Sequence, residues 1–222
     1  MQDISAQRHF SFVDLMTLEQ RYRAAFVNSL SGFKSVSLIG TADRGGHTNL
    51  AVFNSLVHIG ANPPYIGFIN RPDSLDRHTL QNIMDTGFYT VNHIHESFYT
   101  KAHQTAARYP GDVSEFKATG LNEEYLDGFY APYVEESYIK LGVRFKEQVP
   151  LKINGTIMVI GQIEHVYFPN NCLCSDGFLD IERAGTVAGS GLDSYHTTKR
   201  LNRLTYAKPN KIPEICHLRY IE

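Results

Sequence analysis

Residues 47–83 constrain this chain more than any other stretch. They read as a strand over 49–59, a rigid corner at Ala61-Asn62-Pro63-Pro64, a second strand over 65–70, a basic loop over 71–77 and a short helix opening at His78-Thr79. Successive side chains of a strand point to opposite faces. Leu50, Val52 and Leu56 therefore share one face, and Ala51, Phe53, Val57 and Ile59 the other. Apolar residues on both faces predict a strand covered on both sides. At roughly 3.3 Å per residue it would run about 36 Å, long for a compact domain. The polar pair Asn54-Ser55 falls at its middle, which predicts a bend or bulge there. Buried polar groups need partners, so the pair implies either an internal network or a polar ligand laid against the strand. The loop then brings Arg71, Arg77 and Thr79 beside a helix N-terminus, where unpaired amides and the macrodipole favour an anion.

Elsewhere the pattern is mostly strand and turn. Thr17 with Gln20 reads as a capping box, and Leu18, Tyr22, Ala25, Phe26 and Leu30 recur at helical spacing up to Gly32, giving one amphipathic helix over a barrel end. Residues 34–43 form a core strand, and Arg44-Gly45-Gly46-His47 a hairpin turn. The helix from His78 stops at Gly87, a strand follows over 88–94, and residues 96–108 suit a second helix carrying Lys101 and His103. Periodicity is lost over 109–121, where Pro110-Gly111 breaks it, and residues 125–132 are an irregular connection rich in tyrosine. Ile139, Leu141, Val143 and Phe145 alternate with Lys140, Gly142, Arg144 and Lys146, the pattern of a strand with one wet face. Asn154-Gly155 turns the chain into a long strand over 156–168; residues 176–191 read as loop or short helix, and a polar tail starts at Tyr195. Antiparallel strands joined by turns with few helices between them indicate a closed or split barrel and not a parallel sheet.

At 222 residues the chain can bury a sizeable core, and one domain over 1–222 is expected. A formal charge of -2 gives no footprint for nucleic acid. Lys199, Arg200 and Arg203 form a short basic tract that suits a solvated face. No apolar run has the length of a bilayer span, and the N-terminal segment lacks a secretory pattern; a cytoplasmic protein is expected. Cys172, Cys174 and Cys216 lack the spacing of a zinc site, so no metal is assigned, and their odd number argues for a reducing compartment. There is no Gly-x-Gly-x-x-Gly cradle, Gly-x-Ser-x-Gly elbow or His-Glu-x-x-His motif.

Residues 48–72 and 77–94, with their Asn-x-Ala strand start, Asn-Pro-Pro corner and Arg-His-Thr-x-x-Asn-Ile helix start, together with Ser-Glu-Phe at Glu115, resemble the flavin reductase-like family, the FMN-binding split barrels that include flavoredoxin-type proteins. The resemblance implies a mainly β fold, a split antiparallel β-barrel with a few peripheral helices. It implies FMN with its phosphate at Arg71, Arg77, His78 and Thr79, and its ring against Asn54, Ser55 and Leu56. Ala102, His103 and Gln104 match the family segment that borders the cofactor, and residues 109–121 a loop near the flavin that reaches the neighbouring subunit. Asn49 either reaches the ribityl chain or only starts its strand. The resemblance also implies a homodimer, NAD(P)H as reductant, and a flavin or protein as electron acceptor. No catalytic side chain is assigned, because the flavin itself carries the hydride. Two further readings stay open: a flavin-binding or sensing module without turnover, and a barrel for another anionic cofactor such as haem or pyridoxal phosphate.

Overall fold

The computed structural model describes residues 7–71 and 78–221. Two helices, α1 (Phe12–Thr17) and α2 (Gln20–Ser29), lead into β1 (Lys34–Ser35), β2 (Ser37–Ala42), β3 (Thr48–Phe53), β4 (Val57–Ala61) and β5 (Pro64–Asn70). Then come α3 (His78–Thr86), β6 (Phe88–His93), α4 (Tyr99–Gln104), α5 (Glu115–Thr119), β7 (Glu123–Glu124) and β8 (Tyr133–Val134). The long hairpin β9 (Lys140–Leu151) and β10 (Thr156–Tyr167) is followed by β11 (Ala188–Ser190), β12 (Ser194–His196), β13 (Arg203–Leu204) and β14 (Ile215–Cys216).

Seven strands form one antiparallel sheet in the order β3-β2-β6-β9-β10-β5-β4. Its two edge strands, β3 and β4, are consecutive in the chain, so residues 54–56 alone connect the opposite ends of the sheet. The sheet therefore curls into a barrel with one seam, and Ser55 spans the seam: its Oγ accepts from the Ile69 N–H and donates to the Ile69 carbonyl, both at 3.1 Å. Inside the barrel lie Ile39, Phe68, Tyr89, Val91, Val143 and Val159. Outside it, Leu38, Leu50, Ile94, Phe98 and Phe116 form a second core beneath α4 and α5. Both faces of β2 are thus covered, and all six of its residues are buried. Gly161 is a packing requirement, since a Cβ there would collide with the Tyr89 hydroxyl and the Val143 side chain.

The mainly β split barrel is as the sequence implies, with several corrections in detail. The single strand expected over 49–59 is two strands, because the bend at Asn54-Ser55 passes the chain from one sheet edge to the other. As an edge, β4 leaves Val57 39% and Ile59 41% exposed, against the expectation of cover on both faces. The N-terminal helix is two helices: Ser11 and Asp14 form a capping box on α1, and Glu19, not Thr17, caps α2. Neither helix buries a residue. Residues 96–108 hold only the short α4, while 109–121 contain α5, whose Phe116 is fully packed in the chain's own core. On β9 the supposed wet face starts dry: Lys140 is 8% exposed and ion-paired to Glu124. Residues 176–191 include β11, and the tail is pinned to the preceding loop by Tyr220 and Arg200, both bonded to Asp180. The three cysteines are free thiols, with Cys172 and Cys174 buried. No helix among the described residues is long and apolar enough to cross a membrane.

Candidate functional site

The seam opens into a cleft of about 1080 Å³. Its floor is the 54–56 connection and the end of β5, from Ile69 to Arg71; one end is the start of α3, with His78 and Thr79. The far wall comes from residues 189–192, Ser194 and Tyr195 of the β11–β12 hairpin and from His103 with residues 105–109. The hairpin is tied to the floor through the Gly191 carbonyl, which accepts from Asn54 Nδ2 and from Lys34 Nζ, each at 3.2 Å.

Each local arrangement has a physical cause. Asn54 and Ser55 break the strand because their side chains bond elsewhere, to Gly191 and to Ile69. Those bonds leave the backbone amides of residues 54, 55 and 56 donating no hydrogen bond among the described residues, while the Leu56 carbonyl accepts from Ser35. Buried amides rarely stay unpaired, so a row of three along a cleft floor is a place for acceptor atoms of a ligand. At the end of the cleft, the first amides of α3 lack partners within the helix. Thr79 is fixed there by Asn49, whose Nδ2 reaches its Oγ1 at 2.9 Å in a buried network completed by Thr41 and Asn82. Arg71 donates to Asn28 Oδ1 at 3.4 Å and meets no carboxylate among the described residues.

Of the residues expected at the site, Asn54, Ser55, Leu56, Arg71, His78, Thr79 and His103 all line this one cleft. Arg77 lies outside the described residues. Ala102 and Gln104 do not line it: Ala102 is packed in the outer core with Phe98 and Phe116, and Gln104 Nε2 instead holds the Tyr109 hydroxyl at 3.1 Å. Only every third or fourth residue of a helix faces one way, which is why His103 enters and its neighbours do not. Asn49 acts through Thr79 and also borders the cleft.

Two residues were not expected. Glu115 lines the cleft with Oε2 accepting from the Leu50 N–H at 2.9 Å, and burial pushes its carboxyl above the ordinary range despite that bond. Its Ser-Glu-Phe context was visible, but not its direction. Tyr195 is held by His103, Nδ1 to Oη 3.1 Å, with the rings at 87°. Burial, with Asp193 nearby, raises its phenol. Only the docking of a distant hairpin brings it here, and no local pattern signals that. Among the described residues no group of three His, Cys, Asp or Glu side chains could hold a metal ion.

A seamed antiparallel barrel with an amide-lined floor and a cation-and-helix end has the chemistry to accommodate a planar ligand with an anionic tail. Residues 30–177 match the flavin reductase like domain, more than half of the chain, and the protein belongs to that family. A split barrel domain protein of Shewanella frigidimarina, assigned to the flavin reductases, superimposes with a TM-score of 0.88 at 54% identity, over 90% of this chain and 100% of that one. Nitrilotriacetate monooxygenase component B from Bacillus cereus shares the fold at 18% identity, with a TM-score of 0.77 over 90% of this chain and 99% of that one. An uncharacterised Aquifex aeolicus protein is 27% identical over 120 residues, 53% of this chain and 61% of its own length. The chain is thus a flavin-linked oxidoreductase of the split barrel fold.

Proposed function

We propose that the cleft binds FMN and that the protein uses it to pass electrons from NAD(P)H to a second acceptor. The observation that carries this is the floor itself: three amides at residues 54–56 that donate to nothing among the described residues, in one cleft with the start of α3 and Arg71. An isoalloxazine presents a row of ring oxygens and nitrogens to such amides, and a single terminal phosphate suits a helix start with one guanidinium. Asn54, Ser55 and Leu56 would support the ring, and His78 and Thr79 would offer amides to the phosphate, with Arg71 supplying charge. Bound there, the flavin supplies hydride chemistry, and the chain binds it, orients it and leaves one face open. Glu115 also lines the cleft, with its carboxyl pushed above the ordinary range by burial.

The visible spectrum of the purified protein tests this. Bands near roughly 370 and 450 nm, from FMN identified after extraction, are expected; a Soret band, or a colourless protein in excess FMN, overturns it. The double variant Arg71→Ala/Thr79→Ala should bind FMN about a hundredfold more weakly, as the guanidinium is lost together with the Thr79 hydroxyl through which Asn49 fixes the helix start, and an unchanged affinity removes the phosphate assignment. NADH and NADPH oxidation that rises with added free FMN would mark a reductase that releases reduced flavin. Oxidation unaffected by added flavin would mark a protein that keeps it.

The functional unit of this proposal is a cytoplasmic homodimer. Phe12, Val13, Met16, Leu30 and Phe33 are all more than half exposed, and Phe33 lines the cleft. An apolar surface of that kind suits a second copy of the chain, and sedimentation equilibrium giving the monomer mass at micromolar concentration would reject it. Three free thiols suit a reducing compartment.

A further inference from the structure

We propose that Tyr195, positioned by His103, is the acid that protonates an electron-poor organic acceptor, of the conjugated enal or enone class, reduced in this cleft. The inference rests on the flavin reading above and extends it to the second substrate.

The wall facing the 54–56 floor is built differently from the floor. Where the floor offers amides, the wall offers two phenols held by consecutive residues of α4: Tyr195 Oη by His103 Nδ1 and Tyr109 Oη by Gln104 Nε2, each at 3.1 Å. Tyr99 flanks Tyr195 with ring centroids 5.4 Å apart, so the phenol stands in an aromatic setting. The same wall is fixed to the floor through Asn54 and Gly191, and Tyr195, four residues beyond Gly191 across the β11–β12 turn, lines the same cleft as residues 54–56. Binding a flavin phosphate or ring needs no phenol backed by imidazole. A substrate that gains a hydride needs a proton as well, and a nicotinamide that loses one does not; the pair therefore points to the acceptor. Burial keeps the phenol protonated, so it can donate at neutral pH.

The step balances as follows. The acceptor's β-carbon gains a hydride from reduced flavin, and its carbon–carbon double bond becomes single as the α-carbon takes the proton from Tyr195 Oη. The flavin is oxidised and the alkene reduced by two electrons. The phenolate is restored by the His103 Nδ1 proton, Nε2 takes a proton from a buffer acid in the solvent, and proton exchange with solvent returns the ring to the tautomer in which Nδ1–H donates to Oη. His103 is a positioning residue that acts through Tyr195.

Trans-cinnamaldehyde serves as the probe with FMN-loaded protein. Tyr195→Phe is expected to keep the flavin spectrum and FMN affinity within about twofold, while pre-reduced protein is reoxidised anaerobically by cinnamaldehyde at least about a hundredfold more slowly, the scale of a lost general acid. Binding of hydrocinnamaldehyde, which cannot be reduced in this way, to the oxidised protein should weaken about fivefold by calorimetry, for one hydrogen bond. His103→Ala should slow reoxidation about tenfold and recover with added imidazole, a rescue that a purely structural role would not give. A flavin-loaded Tyr195→Phe that reduces cinnamaldehyde at the wild-type rate overturns the acid assignment, as does wild-type protein that holds FMN and does not reduce the probe. A wild-type protein that stays colourless in excess FMN overturns the flavin reading and this inference together, and is distinguished from the other outcomes by its spectrum.

Discussion

Two regions of the molecule gather arginine, and they spend it in opposite ways. Around Asp180, Arg200 pairs with Asp180 and Glu182 and lies over Phe178; Arg203 pairs with Asp176 and stacks on Phe178 at 4.0 Å; and Arg183 covers the Tyr220 ring at 4.2 Å. In the cleft, Arg71 has a long contact to one amide oxygen of Asn28 and no carboxylate among the described residues. The first set is neutralised inside the chain and holds the C-terminal tail to the 172–184 loop. The second keeps its charge in a concave site beside unspent amides. Arginine count alone therefore misleads: Arg200 and Arg203 of the basic tract are structural, and Arg71, which lines the cleft with no carboxylate partner among the described residues, is placed for an anion.

The largest expected effect falls on the structural side. Asp180 is 3% exposed at its side chain and accepts from Tyr220 Oη at 2.7 Å, from the Arg183 N–H at 3.1 Å, and from Arg200. Burial alone would raise its carboxyl, but these donors outweigh it and hold the group below its ordinary value. Asp180→Ala leaves the guanidinium and phenol unpaired and should cost about 3 kcal/mol in urea unfolding, with FMN affinity unchanged. A loss under about 1 kcal/mol would break the contrast.

Acidification should come next. His93, on β6, sets its Nδ1 3.2 Å from Thr186 Oγ1 in the same loop region, and burial pushes its imidazole down to about 4. The folded state thus resists protonation, while the unfolded chain takes up the proton near its ordinary 6.5. Stability from this group is full above that pH, falls as pH drops, and levels off once the folded ring also titrates near 4. A loss of about 2 kcal/mol is expected across that window because the ring keeps some solvent contact. The difference between wild type and His93→Gln should carry it, and parallel pH profiles would refute it.

On the cleft side the sign reverses. Arg71→Ala should weaken FMN binding about tenfold and shift unfolding by less than about 0.5 kcal/mol, since an exposed arginine with one weak contact contributes little to folding. Equal losses in both measurements would mean that Arg71 is spent on structure after all.

Much of this contrast is legible in the sequence, and the remainder has physical reasons. The bend at Asn54-Ser55, the turns at Gly46 and Gly155 and the stop at Gly87 could be read because polar pairs inside apolar runs and glycines at positive φ act locally. The edge exposure of Val57 and Ile59 could not, because alternation reports apolarity and not which strand ends a sheet. Nor could Tyr195, Gly191 and Asp180, whose partners lie up to 157 residues away. His103, Ala102 and Gln104 form one motif in the sequence, and the helix turns only the histidine toward the cleft.

Ser55 sharpens the comparison because it belongs to both sides at once. Its side chain is structural, bonding the N–H and C=O of Ile69 across the seam, while its amide is among those left for a ligand. Ser55→Ala removes both bonds and leaves the Ile69 amide without its acceptor, which should cost about 1 kcal/mol. The seam should then open locally before the barrel unfolds, so the Ile69 amide exchanges its hydrogen faster than its neighbours on β5. FMN affinity should fall only about threefold, because the amides of the floor survive the substitution and lose only their fixed position. Should Ile69 exchange at the wild-type rate, the seam is held by something other than this hydroxyl, and the floor is rigid without it.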